Sequence, residues 1–365
     1  MADLPKNIGW IGLGLMGYPM ALNLAKKMDR ATQFYVYDVV QDNVDKFVAE
    51  GGARVHACSS SKEVADKSDV ILSMVPEGSH VKSVYLDETS GVLQSSTLSS
   101  STTPKVLIDC STIDTATSLL VRSSASSSHP TATFYDSPVS GGVKGAQAAT
   151  LTFMLGCSTS DPNLPLLQSL LSLMGNPSAI FPCGGPSLGL TAKLTNNYCS
   201  GLIAIAVSEA MNIGIKSGMD PRVLANIWHT STAQSAICDD WNPVPGLCPD
   251  APATGKNGKA NYAGGFRVQL MKKDFGLAVE AAERVGAKLA LGDVGLKVYE
   301  GASQDERCRD LDSRVVYRYL GGGEEWNREG KFEERVEMTR DETRRLLKSA
   351  KESEARKVHK ARNIM

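Results

Sequence analysis

KNIGWIGLGLMGYPMALNL, Lys6 to Leu24, is the stretch whose reading decides the fold. It opens on a short apolar run, Ile8 to Ile11, and continues through Gly12, Gly14 and Gly17 in G-x-G-x-x-G spacing. Met20, Ala21, Leu22 and Leu24 then recur as the apolar side of a helix. A strand, three spaced glycines and a helix, in that order, form a dinucleotide-binding turn. The first glycine allows the tight turn, the second lets a pyrophosphate reach the backbone, and the third lets helix and strand pack closely. The free N–H groups of the helix start face the phosphates, so Gly12, Leu13, Gly14, Leu15, Met16 and Gly17 are the candidate cofactor loop. A second apolar run, Phe34 to Tyr37, ends at Asp38, where such a motif carries its ribose-binding acid. A carboxylate there accepts from a ribose 2′-OH and repels a 2′-phosphate. Val39, Val40 and Gln41 follow, with no arginine to hold that phosphate, so the reading favours NAD over NADP.

Composition excludes several classes. The chain has 365 residues, enough for two domains and a tail, and a formal net charge of −1 that gives no general attraction to nucleic acid or anionic membrane. Eight scattered cysteines without a C-x-x-C suit a reducing compartment better than a disulfide framework. Five histidines show no metal-ligand spacing, so no metal is expected. No run of eighteen apolar residues announces a membrane span. The opening MADLPKN lacks the features of a transit or signal peptide. Two readings stay open there, a cytosolic protein or a chain written without its leader.

Outward from the glycine turn, Val70 to Val75, Val106 to Asp109 and Phe134 to Pro138 read as buried strands. Helical stretches separate them, at Asp42 to Glu50, Ser61 to Lys67, Ser79 to Tyr85 and Thr115 to Ser124. Alternation of this kind predicts βαβ units and a doubly wound, mainly parallel Rossmann sheet over residues 1–183. The loops after Val75, Asp109 and Pro138 then open on the same side as the glycine turn. Serine-rich patches at Ser95 to Thr103 and Ser123 to Ser128 read as surface loops. From about Gly184 the texture becomes helical. Gly189 to Gly218 predicts one long buried helix, followed by helices from Asp220 through His229, Phe266 to Arg284 and Leu291 to Tyr299. Residues 184–320 are thus an all-α second domain joined by a long helix. Asn242 to Asn261 is rich in Pro and Gly and reads as a loop. Residues 321–365 form a densely charged tail, read as a solvated helix or disordered segment or as a partner-binding arm. Thr339 and Glu342 offer a capping box within it.

The chemistry is expected at Lys193 and Asn197. They stand four apart, hence on one helical face, in an otherwise apolar stretch. An amine and an amide are costly there unless they serve a purpose. Burial disfavours a lysine's charged form and draws its pKa down from about 10.4 toward working pH, which suits a general acid–base group. Ser140-Gly141-Gly142 reads either as a plain turn or as a carboxylate cradle of a hydroxyl and bare N–H groups. Lys273 is either a surface charge or a cofactor contact from the second domain.

Taken together these segments resemble the 3-hydroxyisobutyrate dehydrogenases of the β-hydroxyacid dehydrogenase family. The resemblance runs through IGLGLMGYPMALNL (11–24), DCSTIDT (109–115), DSPVSGGVKGA (136–146), LTFMLG (151–156), KLTNN (193–197), SEAMNIGI (208–215), LMKKDFGLA (270–278) and DLDSRVVYRYL (310–320). NPVPG at Asn242 to Gly246 points to the 3-hydroxyisobutyrate branch. The resemblance implies NAD-dependent oxidation of 3-hydroxyisobutyrate to methylmalonate semialdehyde in valine breakdown. It implies a homodimer or homotetramer through the helical domain, and a mitochondrial matrix location with the cytoplasm as the alternative. It makes Lys193 catalytic with Asn197 beside it, gives the substrate carboxylate to Ser140, Gly141 and Gly142, and lines the NAD site with Val75, Pro76, Thr112 and Lys273. Three features depart from the family: His80 replaces its usual asparagine, Ala236 its frequent aromatic, and the charged tail has no counterpart. The competing readings are a reductase or dehydrogenase of another short β-hydroxyacid (tartronate, succinic or glyoxylic semialdehyde) and a non-catalytic nucleotide-binding module.

Overall fold

A computed structural model describes residues 4–100, 104–255 and 261–326. The first part runs β1 (Asn7–Ile11), α1 (Gly17–Lys27), β2 (Gln33–Tyr37), α2 (Gln41–Gly51), β3 (Val55–Ala57), α3 (Ser61–Lys67), β4 (Val70–Ser73) and α4 (Gly78–Leu86). It continues with α5 (Thr97–Ser100), β5 (Val106–Asp109), α6 (Thr115–Ser128), β6 (Thr133–Asp136), β7 (Val139–Ser140), α7 (Gly142–Ala148), β8 (Leu151–Leu155), α8 (Leu164–Leu171) and β9 (Gly175–Pro182). Helices α9 (Leu188–Lys216), α10 (Pro221–His229), α11 (Ala236–Asp239), α12 (Val268–Arg284), α13 (Gly292–Gln304) and α14 (Val316–Tyr319) follow.

Six strands form a wholly parallel sheet in the order β3-β2-β1-β4-β5-β6. The order reverses beside β1, the switch point where doubly wound sheets bind ligands. Both faces are covered, as parallel sheets require. Ile8, Trp10, Phe34, Val36, Val70, Leu72, Val106 and Ile108 pack on one side with Met20, Ala21 and Leu24 of α1. The intervening Ile71 and Leu107 pack on the other with Val64, Val81 and Val121. Each buried Val, Leu, Ile, Phe or Met among them contributes roughly 1.5–3 kcal/mol.

Two details differ from the sequence reading. A second, three-stranded sheet, β7-β8-β9, follows the first. The serine-rich patches, apart from residues 101–103, which lie outside the described residues, are also built in rather than loose. Ser123 to Ser128 completes α6, whose Val121 and Ala125 are buried, and Ser95 and Leu98 are buried beside α3. Ser95 Oγ donates to Asp66 Oδ1 at 2.6 Å, and Lys105 Nζ donates to Ala65 O and Thr97 Oγ1. Serine composition signals a loop only where no apolar stripe runs through it.

The described residues fall into two compact units. One takes the chain up to Cys199 together with Lys273–Gly292, and the other takes Ser200–Lys272 and the chain from Asp293 onward. The second unit is helical. Its core gathers Ala204, Val207, Met211, Ile215, Leu224, Ile237, Val244, Tyr317 and Trp326. By length and composition α9 would also pass for a membrane span. Its apolar residues have a nearer explanation, since Leu190 belongs to the core beside the sheet and Ala204, Val207, Met211 and Ile215 to the helical core. The expected capping box at Thr339 and Glu342, and the rest of the charged tail beyond Trp326, lie outside the described residues.

Candidate active site

The glycine turn has the geometry its spacing demands. Gly12 sits at φ +94°, closed to ordinary side chains, and its N–H donates to Tyr37 O at 2.9 Å. Among the described residues nothing beyond its chain neighbours lies within 4 Å of where a Cβ on Gly14 would stand, so the backbone is bare where a pyrophosphate would approach. Met16, ahead of α1, makes no side-chain cap. Tyr18 N donates to Gly14 O at 3.0 Å and Pro19 carries no N–H, so the Gly17 amide is the first-turn donor left for an anion among the described residues. Asp38 follows β2, and its carboxylate accepts from Leu13 N on one oxygen and from Val40 N at 2.7 Å on the other. The acid therefore braces the loop as well as standing where a ribose would bind. These residues fit a dinucleotide.

The next loops are tied together. Val75 N donates to Ser111 Oγ at 2.9 Å, and Ser111 Oγ donates to Asp109 Oδ1 at 2.6 Å. Burial raises the Asp109 carboxyl to about 6, against the hydrogen bonds from Ser111 and Ser73. Lys273 belongs to the first compact unit. Its Nζ donates to Thr112 O at 2.5 Å and Pro76 O at 3.1 Å, so it binds the β4 and β5 loops together.

Lys193 and Asn197 lie one turn apart on α9, 8% and 7% exposed. Burial lowers the Lys193 pKa, opposed by the nearby Asp274 carboxylate and reinforced by Lys273. Asn197 Nδ2 donates to Asp274 Oδ2 at 2.6 Å, and its Oδ1 accepts from Asn196 Nδ2 at 3.1 Å. The other Asp274 oxygen has Lys273 Nζ 3.1 Å away as an ion pair but accepts no hydrogen bond from the described residues. Asp274 is the residue that sequence reasoning missed. Its signal was there: it interrupts the buried stripe Met271, Phe275 and Ala278 of α12 with an acid.

Ser140 closes β7, half-buried. Gly141 and Gly142 follow at φ +130° and +61° and are exposed, with open space beside Gly142. Among the described residues no group of three or more His, Cys, Asp or Glu is placed to hold a metal.

Two family models divide the chain. Residues 7–185 match the NAD binding domain of 6-phosphogluconate dehydrogenase, and residues 188–320 match the NAD-binding domain of NADP-dependent 3-hydroxyisobutyrate dehydrogenase. A probable mitochondrial 3-hydroxyisobutyrate dehydrogenase of Dictyostelium discoideum is 42% identical over 86% of this chain and 91% of its own. An NAD-dependent L-serine dehydrogenase of Pseudomonas aeruginosa is 36% identical over 80% and 91%. The structure of Mycobacterium tuberculosis 3-hydroxyisobutyrate dehydrogenase with L-serine superposes with a TM-score of 0.74 at 32% identity, covering 86% of this chain and 99% of that one. With the nucleotide turn and the buried lysine cluster, these likenesses lead to one conclusion: the chain belongs to the 3-hydroxyisobutyrate dehydrogenase family.

Proposed function

We propose that this protein oxidises 3-hydroxyisobutyrate to methylmalonate semialdehyde with NAD, in valine breakdown, and that Lys193 is its general acid–base group. The observation that carries the reading is the buried cluster of Lys193, Asn197 and Asp274 on two helices of the unit that holds the glycine turn. NAD, when bound, supplies the hydride acceptor. Neutral Lys193 takes the hydroxyl proton as the carbinol C–H bond breaks, and its ammonium returns that proton in the reverse direction. Asn197, oriented by Asp274, holds the substrate oxygen near the amine. Ser140, Gly141 and Gly142 hold the carboxylate through a hydroxyl and backbone N–H groups. Gly12, Leu13, Gly14, Leu15, Met16 and Gly17 cradle the pyrophosphate, Asp38 takes the ribose, and Val75, Pro76, Thr112 and Lys273 line the rest of the cofactor site. A homodimer or homotetramer belongs to the same proposal, and so does a mitochondrial matrix location, which the mitochondrial names of the relatives support.

Rates across 3-hydroxyisobutyrate, L-serine, glycerate and 4-hydroxybutyrate test the substrate. The expected order puts 3-hydroxyisobutyrate first in kcat/KM. L-serine is the second reading, because it is named for a close relative and was bound to another. Both molecules present a primary alcohol β to a carboxylate and differ in a methyl against an ammonium at C2. A kcat/KM for L-serine above that for 3-hydroxyisobutyrate would transfer the assignment.

Asp38→Ala tests the cofactor. It removes an acceptor for the ribose and the brace on Leu13, and charge-assisted hydrogen bonds are worth about 1.5–3 kcal/mol each. The NAD-over-NADP ratio in kcat/KM is expected to narrow about 10- to 100-fold. An unchanged ratio removes the ribose role.

A further inference from the structure

We propose that Asp136 is a positioning residue for the reaction, locking the turn of α9 that carries Lys193 to the strand end that leads into Ser140-Gly141-Gly142. The proposal rests on the reading of Lys193 as the acid–base group.

Asp136 is the last residue of β6 and is 2% exposed. Its two carboxylate oxygens are divided between two amides at the start of α9. Oδ1 accepts from Ser187 N at 2.8 Å, and Oδ2 accepts from Leu190 N at 2.9 Å. First-turn amides of a helix have no partner within it, and a capping side chain usually comes from the residue just ahead. Here the cap is more than fifty residues away in sequence, so it fixes the helix to the sheet and not merely to itself. Two contacts to one rigid carboxylate set both the height and the rotation of that turn. Lys193 is three residues past Leu190, on the next turn of the same helix.

The chain makes room for this contact. A Cβ on Gly156 would run into the Asp136 carboxylate, and one on Gly189 would come within 2.9 Å of its Oδ2. Glycine at both places clears a space that the acid fills. The backbone of Asp136 is fixed as well, since its carbonyl accepts from Gly156 N at 2.8 Å. Four residues after Asp136 the chain reaches Ser140. One buried group therefore sets where the proton acceptor stands relative to the proposed carboxylate cradle. Misplacing reacting groups by an ångström costs about 100-fold in rate.

Asp136→Asn is nearly isosteric and turns one acceptor into a donor facing either the Ser187 or the Leu190 N–H. Three quantities are measured: NAD affinity, kcat for 3-hydroxyisobutyrate, and the isotope effect from deuterium on the carbinol carbon. The expected result is NAD affinity within about twofold of wild type, kcat lowered about 10- to 100-fold, and a larger isotope effect as hydride transfer becomes slower. A kcat within about twofold of wild type, or equal losses of kcat and NAD affinity, overturns the proposal. A second measurement needs no variant. In the wild-type protein the Ser187 and Leu190 amides should exchange with solvent far more slowly than free helix-end amides, and rapid exchange there overturns the proposal too. Lys193→Ala, run in parallel, separates the failures. If it keeps turnover, the acid–base reading falls and takes this proposal with it. If it is inactive while Asp136→Asn is fully active, only the role of Asp136 falls.

Discussion

Lys193→Ala is expected to lower kcat for hydroxy-acid oxidation about 100- to 10,000-fold while NAD binds as before. The cofactor contacts proposed here lie on the glycine turn, Asp38, the β4 and β5 loops and Lys273, none of them supplied by the Lys193 amine. The pH profile gives the sharper signature. Burial lowers the Lys193 pKa, so the neutral amine needed for oxidation accumulates at lower pH than for a free lysine. Oxidation should therefore rise with pH along a limb centred below about 10.4, and reduction, which needs the ammonium, should fall along the same limb. In Lys193→Ala that limb disappears. Asp274 favours the ammonium, so Asp274→Asn should move the limb to still lower pH. It also replaces the charged acceptor of the Asn197 amide with a neutral, weaker one, so turnover should fall as the limb moves. Steady-state rates from neutral to alkaline pH, beside NAD titration by fluorescence, measure all of this. A Lys193→Ala enzyme with near-wild-type kcat and an unchanged limb removes the lysine from the mechanism.

Trp326→Ala is expected to destabilise the helical unit by about 3–5 kcal/mol, the usual range for losing a large buried aromatic. The 188–320 match to the family model ends before this residue, in what the sequence presents as the start of a charged tail. Yet Trp326 is 6% exposed and packs in the core with Ala204, Met211, Leu224 and Tyr317. Its Nε1 donates to Pro245 O at 2.7 Å, within NPVPG, and the Arg222 guanidinium lies 5.5 Å from its ring centre. The segment leading to it is also tied down: Arg318 Nε donates to Glu324 Oε1 at 2.6 Å and Tyr317 Oη to Gly323 O at 3.0 Å. Cutting the chain after Leu320 should therefore lower Tm by several degrees, whereas cutting after Trp326 should not. Thermal scans of the two truncations decide it, and equal Tm values would show that the tryptophan contributes no stability. Activity of the longer truncate then tests the tail itself. Unchanged turnover and unchanged complexes would leave residues beyond Trp326 without a binding role.

Much of this protein is written in local sequence. Strand, glycines and helix at Lys6 to Leu24 are a short-range pattern, and so is the run from Phe34 to Asp38, because turn geometry and apolar periodicity are decided by neighbours. The long helix at Leu188–Lys216 is equally legible, with Lys193 and Asn197 as polar residues where apolar ones were due. What stayed hidden depends on residues far apart. Asp274 meets Asn197 across 77 positions, and Asp136 meets Leu190 across 54. Trp326 reads as part of a charged segment until the fold brings Pro245 to it. Sequence by itself determined most strands of the parallel sheet, the long helix, the cofactor turn and the candidate amine. Tertiary structure alone decided which buried carboxylates serve them, because an acid's role follows from the desolvation and hydrogen-bond partners it meets after folding, and no local pattern encodes those.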